Sequence, residues 1–172
     1  MFSFRAFACA ALGVIAGTVA ASSHPTLTQK SASADSYFRA TFTVPHGCDG
    51  AATTKVSIWL PENIIQAKPQ SKAGWKIEIV RVKLDKEVQG FHGAKITHRV
   101  AKVIFSGGNL PDDQFDEFTL SMKLPKEPGA LYFPVEQACG EKVRAWNEIP
   151  SPSEKLHDLD SPAAALTVKP KQ

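Results

Sequence analysis

The chain has 172 residues, a formal net charge of +3 from 20 Lys+Arg and 17 Asp+Glu, and 43% apolar residues. That length suits one domain with an adequate core. Its cations are too scattered for a nucleic-acid surface, so no nucleic-acid partner is expected.

The first 23 residues carry a single early cation, Arg5, and then an apolar run from Ala6 to Ala21 broken only by Gly13, Gly17 and Thr18. This is the pattern of a secretory signal peptide. The run is too short, and too rich in Ala and Gly, for a membrane-spanning helix, which needs about 20 strongly apolar residues. No second apolar stretch follows, so a soluble mature chain without a stable membrane anchor is expected. Ala20-Ala21-Ser22-Ser23-His24-Pro25 offers cleavage after Ala21 or after Ser23. The second cut satisfies the small-x-small rule with Ala21 and Ser23 and leaves His24 first. Removing residues 1–23 deletes Arg5 and no acid, so 20 cations become 19 against 17 anions, a mature charge of +2.

Of three cysteines, Cys9 leaves with the leader, and Cys48 and Cys139 remain. In an oxidising compartment two such distant cysteines read as one structural disulfide, closing a loop of about 90 residues and worth a few kcal/mol. Two free thiols, or a soft Cu(I) site, are the alternative.

Along the mature chain, short β-branched and aromatic runs alternate in period two between Pro, Gly and Asp clusters. They predict strands over 37–44, 55–60, 75–84, 96–105, 118–124, 130–137 and 142–149. Within 75–84 apolar and charged residues alternate, with one slip at Val80. Seven or eight such strands, with no sustained helical period, predict an all-β, antiparallel β-sandwich of immunoglobulin/fibronectin-like type over residues 24–150. Residues 151–172 read as a disordered or loosely packed Pro/Ala/Lys-rich tail.

Enzyme constellations are missing: the sequence has no Gly-x-Ser-x-Gly elbow, no His-Glu-x-x-His pair and no phosphate-cradling loop. The acids Asp112, Asp113, Asp116 and Glu117 have no second carboxylate group to form a cleft with, and a protein without catalytic turnover is expected. Histidines 24, 46, 92, 98 and 157 are nowhere paired at short metal-ligand spacing. His24 differs through processing: as a first residue it offers an α-amine and an imidazole, two nitrogens that close a chelate ring on one cation and suit Cu(II). Pro25 has no backbone N–H for copper to displace, which limits the terminus to those two donors. An oxygen ligand is then expected from the acidic hairpin 110–118, where composition does not choose among the four acids.

Several segments together carry a resemblance. They are His24-Pro25-Thr26-Leu27, Val44-Pro45-His46-Gly47-Cys48-Asp49-Gly50, Thr53-Thr54-Lys55-Val56, Lys68-Pro69-Gln70 and Gly74-Trp75. Leu110-Pro111-Asp112-Asp113, Phe115-Asp116-Glu117-Phe118, Leu131-Tyr132-Phe133-Pro134 and Trp146-Asn147-Glu148-Ile149-Pro150 complete them. In these the chain resembles the YcnI-like copper-binding proteins of bacteria. The resemblance implies a fibronectin-like sandwich with one Cu(II) per chain, held by a mono-histidine brace at the mature N-terminus. It implies His24, Glu117 and Trp146 as the metal site, and supports Cys48 and Cys139 as a disulfide. His46 is expected to be structural, hydrogen-bonded within its turn. The implied role is copper trafficking or homeostasis in the periplasm. Partners are expected among periplasmic copper chaperones and membrane copper transporters. Two rivals stand beside it: a copper-dependent oxidative enzyme, for which no strong second histidine is apparent, and a metal-free periplasmic adhesion or chaperone sandwich.

Overall fold

The computed structural model describes residues 24–90 and 94–171. The expected signal peptide, with Cys9 and the two candidate cleavage sites, lies outside the described residues, as does His92. The strands are β1 (Thr26–Leu27), β2 (Ser31–Ser33), β3 (Tyr37–Val44), β4 (Thr53–Trp59), β5 (Ala67–Pro69) and β6 (Lys76–Gln89). They continue as β7 (Lys95–Leu110), β8 (Asp116–Lys123), β9 (Gly129–Phe133), β10 (Val135–Cys139), β11 (Lys142–Trp146) and β12 (Ala164–Lys169).

A four-stranded sheet runs β1-β3-β8-β5 and a five-stranded sheet runs β11-β10-β4-β7-β6. The alternation in β3 explains how they face each other: Phe38, Ala40, Phe42 and Val44 are buried, while Tyr37, Arg39, Thr41 and Thr43 point away from the core. Opposite them on β8, Phe118, Leu120 and Met122 are also buried, and the second sheet adds Val56, Ile58, Val103 and Phe105. Phe105 meets Phe118 edge to face at 5.1 Å, and Phe42 meets Phe133 at 5.5 Å. Each such buried side chain contributes about 2 kcal/mol by removing apolar surface from water.

The predicted sandwich is present, with departures in detail. The predicted strand 130–137 is cut at Pro134, which has no N–H for a continuous ladder. β9 therefore joins a separate three-stranded sheet, while β10 joins the five-stranded one and the Pro134 carbonyl accepts from Trp59 N–H at 3.0 Å. The slip at Val80 is a bulge, since the β6–β7 register shifts between Val80 and Arg81.

The expected loose tail is the larger correction. β12 lies within residues 151–172, pairs antiparallel with β9 and parallel with β2, and buries Ala164, Leu166 and Val168. Its period-two pattern is only six residues long and follows a Pro/Ser-rich stretch, so composition hid it. The domain thus extends past residue 150. Asp35 fastens the tail's end: its carboxylate lies 2.6 Å from Lys123 Nζ and 3.0 Å from Lys171 Nζ. Hydrogen bonds from Lys123 first, then Lys171, push its pKa down to about 2.

A carboxylate whose folded pKa is depressed stabilises the fold above its unfolded value and loses that contribution as pH falls through the folded one. The Asp35 clamp should therefore act fully near neutral pH and fade between about pH 4 and pH 2. Asp35→Asn should lower the urea midpoint at pH 7, and that difference from the wild type should shrink toward zero at pH 2. An equal difference at both pH values would rule the clamp out.

Candidate functional site

One end of the sandwich gathers most of the residues singled out from the sequence. Here β1 begins, β3 ends and β8 begins. Thr26 pairs with Thr43, and Thr43 pairs with Glu117, so the three form one row across three strands. Directly opposed residues share a face, and the next row of Leu27, Phe42 and Phe118 turns inward. Glu117 is accordingly exposed on the outer face, about 10 Å of sheet width from Thr26. His24 lies two residues before Thr26, at the β1 edge of the same end, and is half-buried, while Pro25 is buried.

The four acids of the hairpin are not equivalent. Asp112 Oδ2 accepts the Gly50 N–H at 2.8 Å, and its Oδ1 lies 3.9 Å from His46 Nδ1. Asp116 Oδ1 accepts from Lys72 Nζ at 2.7 Å and from the Glu117 N–H at 2.8 Å. Both carboxylates are committed within the fold. Among the described residues the Glu117 carboxylate takes part in no hydrogen bond or ion pair. It opens on a polar depression of about 320 Å³ shared with Arg39, Thr41, Gln70, Lys72 and Thr119.

Beside this end the turn after β3 is stapled in place. Asp49 and Gly50 both have positive φ, 50° and 83°, as a two-residue hairpin turn requires, and Cys48 and Ala51 exchange backbone hydrogen bonds across it. Cys48 is bonded to Cys139, a sequence separation of 91, which establishes the disulfide expected from the sequence. Gly47 has no room for a side chain, since a Cβ there would lie 2.1 Å from the Ala51 carbonyl oxygen. Gln137, 1% exposed, donates through Nε2 to the His46 carbonyl at 2.6 Å and to the Thr53 hydroxyl. The His46 ring donates from Nδ1 to the Gly47 carbonyl at 2.6 Å, so His46 serves its own turn as expected.

Trp146 is placed differently. It ends β11 on the edge of the five-stranded sheet, opposite Val135, and is 6% exposed yet outside the contiguous core cluster. Two residues on, Glu148 binds the chain again: its N–H donates to Ser161 O at 3.0 Å and its carbonyl accepts from Ala163 N–H at 2.9 Å. Ala163 leads into β12, which packs beside β1. His24 and Glu117 thus share one end of one sheet, while Trp146 belongs to the other sheet. Among the described residues no three His, Cys, Asp or Glu side chains gather into a metal cage.

Sequence reading missed Lys72 and Gln137. Nothing local marks either, because their partners lie 44 and 91 positions away.

Residues 24–168 match a protein family described as Domain of unknown function (DUF1775). No curated protein matches the chain. Among solved structures, an uncharacterized protein from Nocardia farcinica, whose crystal structure is reported to reveal an immunoglobulin-like fold, superposes with a TM-score of 0.62 at 26% identity. That alignment covers 84% of this chain and 97% of the other. A family 123 glycoside hydrolase from Clostridium perfringens aligns at 13% identity over 81% of this chain and 22% of its own. Its TM-score of 0.33 carries no argument.

If Gln137 holds the turn, Gln137→Leu leaves the buried Thr53 hydroxyl and His46 carbonyl short of a partner. It should then cost about 2 kcal/mol in chemical denaturation with the disulfide intact. A loss below about 0.5 kcal/mol would show that the disulfide alone suffices.

Proposed function

The chain belongs to the DUF1775 family, and we propose that it is a YcnI-like exported protein holding one Cu(II) through a mono-histidine brace, in copper trafficking or homeostasis in the periplasm. The observation that carries this reading is the shared row of Thr26, Thr43 and Glu117, which brings the strand led by His24 and one uncommitted carboxylate to the same end of one sheet. The family match also begins at His24, the residue the reading needs first.

In this reading copper is cargo. After cleavage at Ser23 the His24 amine and imidazole would supply two nitrogens of a tetragonal set, which suits Cu(II) and its place at the top of the divalent affinity order. Pro25 blocks further chelation by the backbone, and its burial restrains the terminus. Glu117 would add an oxygen, as the resemblance implies: Asp112 and Asp116 are spent on Gly50 and Lys72, and Asp113 lines a different depression from the one beside Glu117. The terminal amine matters because side chains alone build no three-ligand cage among the described residues. The resemblance also offers Trp146 as a shield over the open face of the metal, a role that requires the β11 edge of the other sheet to reach the His24 end. The protein would carry copper without turnover and pass it to a periplasmic chaperone or membrane transporter.

The test starts with the intact mass and N-terminal sequence of the exported protein, followed by Cu(II) titration under electron paramagnetic resonance. A terminus at His24, one Cu(II) per chain with nitrogen hyperfine structure, and loss of that signal on capping the amine are expected. A Ser22 terminus, or a signal indifferent to capping, would remove the brace. Glu117→Gln should weaken binding at least tenfold with the melting temperature unchanged. Cu(II) should quench tryptophan fluorescence in proportion to bound metal, Trp75 beside Phe118 included, and Trp146→Phe should lower the quenched fraction; an unchanged quenched signal would place the metal away from Trp146.

A further inference from the structure

Lys72 is a half-buried cation with more partners than a surface lysine needs. Its side chain is 19% exposed. Its ammonium group donates to Asp116 Oδ1 at 2.7 Å and to the Glu117 carbonyl at 3.0 Å, and it lies 4.8 Å from the Phe118 ring centroid. Three consecutive residues at the start of β8 are therefore held by one group.

The segment that carries Lys72 is itself fixed. It crosses from β5 to β6 through a turn with Gly74 at φ 76°, and the Trp75 N–H donates to the Lys72 carbonyl at 3.2 Å. Trp75 packs edge to face on Phe118 at 4.9 Å and lies flat against Gly108, where any Cβ would fall 2.0 Å from the indole ring. Lys72 is thus aimed at β8 from a rigid support.

We propose that Lys72 is the positioning residue for Glu117 and selects it over the adjacent Asp116 as the carboxylate offered to the cation. This rests on the copper reading above. By taking the Asp116 carboxylate, and by tying the Glu117 carbonyl, Lys72 leaves one acid of the adjacent pair free and fixes the backbone from which it projects. Without Lys72, Asp116 becomes a second mobile anion beside the site, and Glu117 loses its anchored backbone.

The sign of the effect separates this role from simple charge. A lysine acting only through space repels Cu(II), so its removal would strengthen binding. A positioning lysine predicts the reverse. Lys72→Met should weaken Cu(II) binding about tenfold, as the loss of a partner orienting a ligand does, and should change the copper g and hyperfine values. Lys72→Arg, which keeps the cation and its donors, should recover part of the affinity. In a Glu117→Gln background Lys72→Met should cause little further loss, since there is no longer a carboxylate to position.

The experiment is Cu(II) competition titration with paramagnetic resonance on the mature wild type, both single Lys72 variants and the double variant, with melting curves to confirm folding. Unchanged or tighter binding in Lys72→Met overturns the proposal. So does a loss that adds in full to that of Glu117→Gln, which marks a merely structural role. Wild-type protein that binds no Cu(II) in an amine-dependent way overturns the copper reading and this proposal together, whereas normal wild-type binding with an indifferent Lys72→Met overturns the proposal alone.

Discussion

Eight consecutive residue pairs join β3 to β8, from Tyr37 with Lys123 to Val44 with Asp116, without a register shift. A slip of β8 by one residue against β3 would turn Phe118, Leu120 and Met122 outward and bring Glu117 into the core. Burying that carboxylate without a partner costs several kcal/mol, and exposing the three apolar side chains costs several more. The apolar alternation of these two strands therefore fixes where Glu117 faces as firmly as it fixes the core. Because β1 adds to β3 in the same row, the position of His24 follows from the same ladder.

Around that ladder the polar residues divide their work by strength. A surface ion pair such as Asp49 with Arg144, at 2.7 Å with both side chains about half exposed, is screened by solvent and adds little. The disulfide closing a loop between Cys48 and Cys139 constrains the unfolded chain by about 4.6 kcal/mol in the loop-entropy view. Gln137 adds hydrogen bonds in a buried setting, where an unmade bond is expensive. The turn 46–51 is held mainly by the bridge and Gln137, with the ion pair a minor addition. Arg144 and Asp49 set local charge more than stability.

The sequence made much of this legible and hid the rest for identifiable reasons. β3 was predicted with its observed ends because its alternation is strict and its flanks are turn residues. The bulge at Val80 was visible as a break in period two. β12 was missed because six alternating residues behind a Pro/Ser-rich stretch look like tail composition, and only pairing with β9 and β2 makes them a strand. β1, β2 and β5 were missed because two or three residues cannot show a period. The acidic hairpin was legible as a cluster, but the engagement of Asp112 and Asp116 depends on Gly50 and Lys72, both distant along the chain. That distinction is tertiary and has no local signature.

The shortness of β1 bears on what this end of the molecule is suited for. Two paired residues, with Leu27 buried at 1% and Pro25 also buried, hold the strand led by His24 against the edge of the sheet. Such an element opens at far lower free energy than the eight-residue ladder beside it. Glu117 belongs to the long ladder, and His24 leads the two-residue strand at its edge. In the proposed copper reading, a cation bound between them would gain a fixed oxygen from the ladder and a chelating terminus from the short strand. A cage built wholly on β3 and β8 would draw every donor from one rigid ladder, whereas this arrangement spreads the donors over two elements of unequal length.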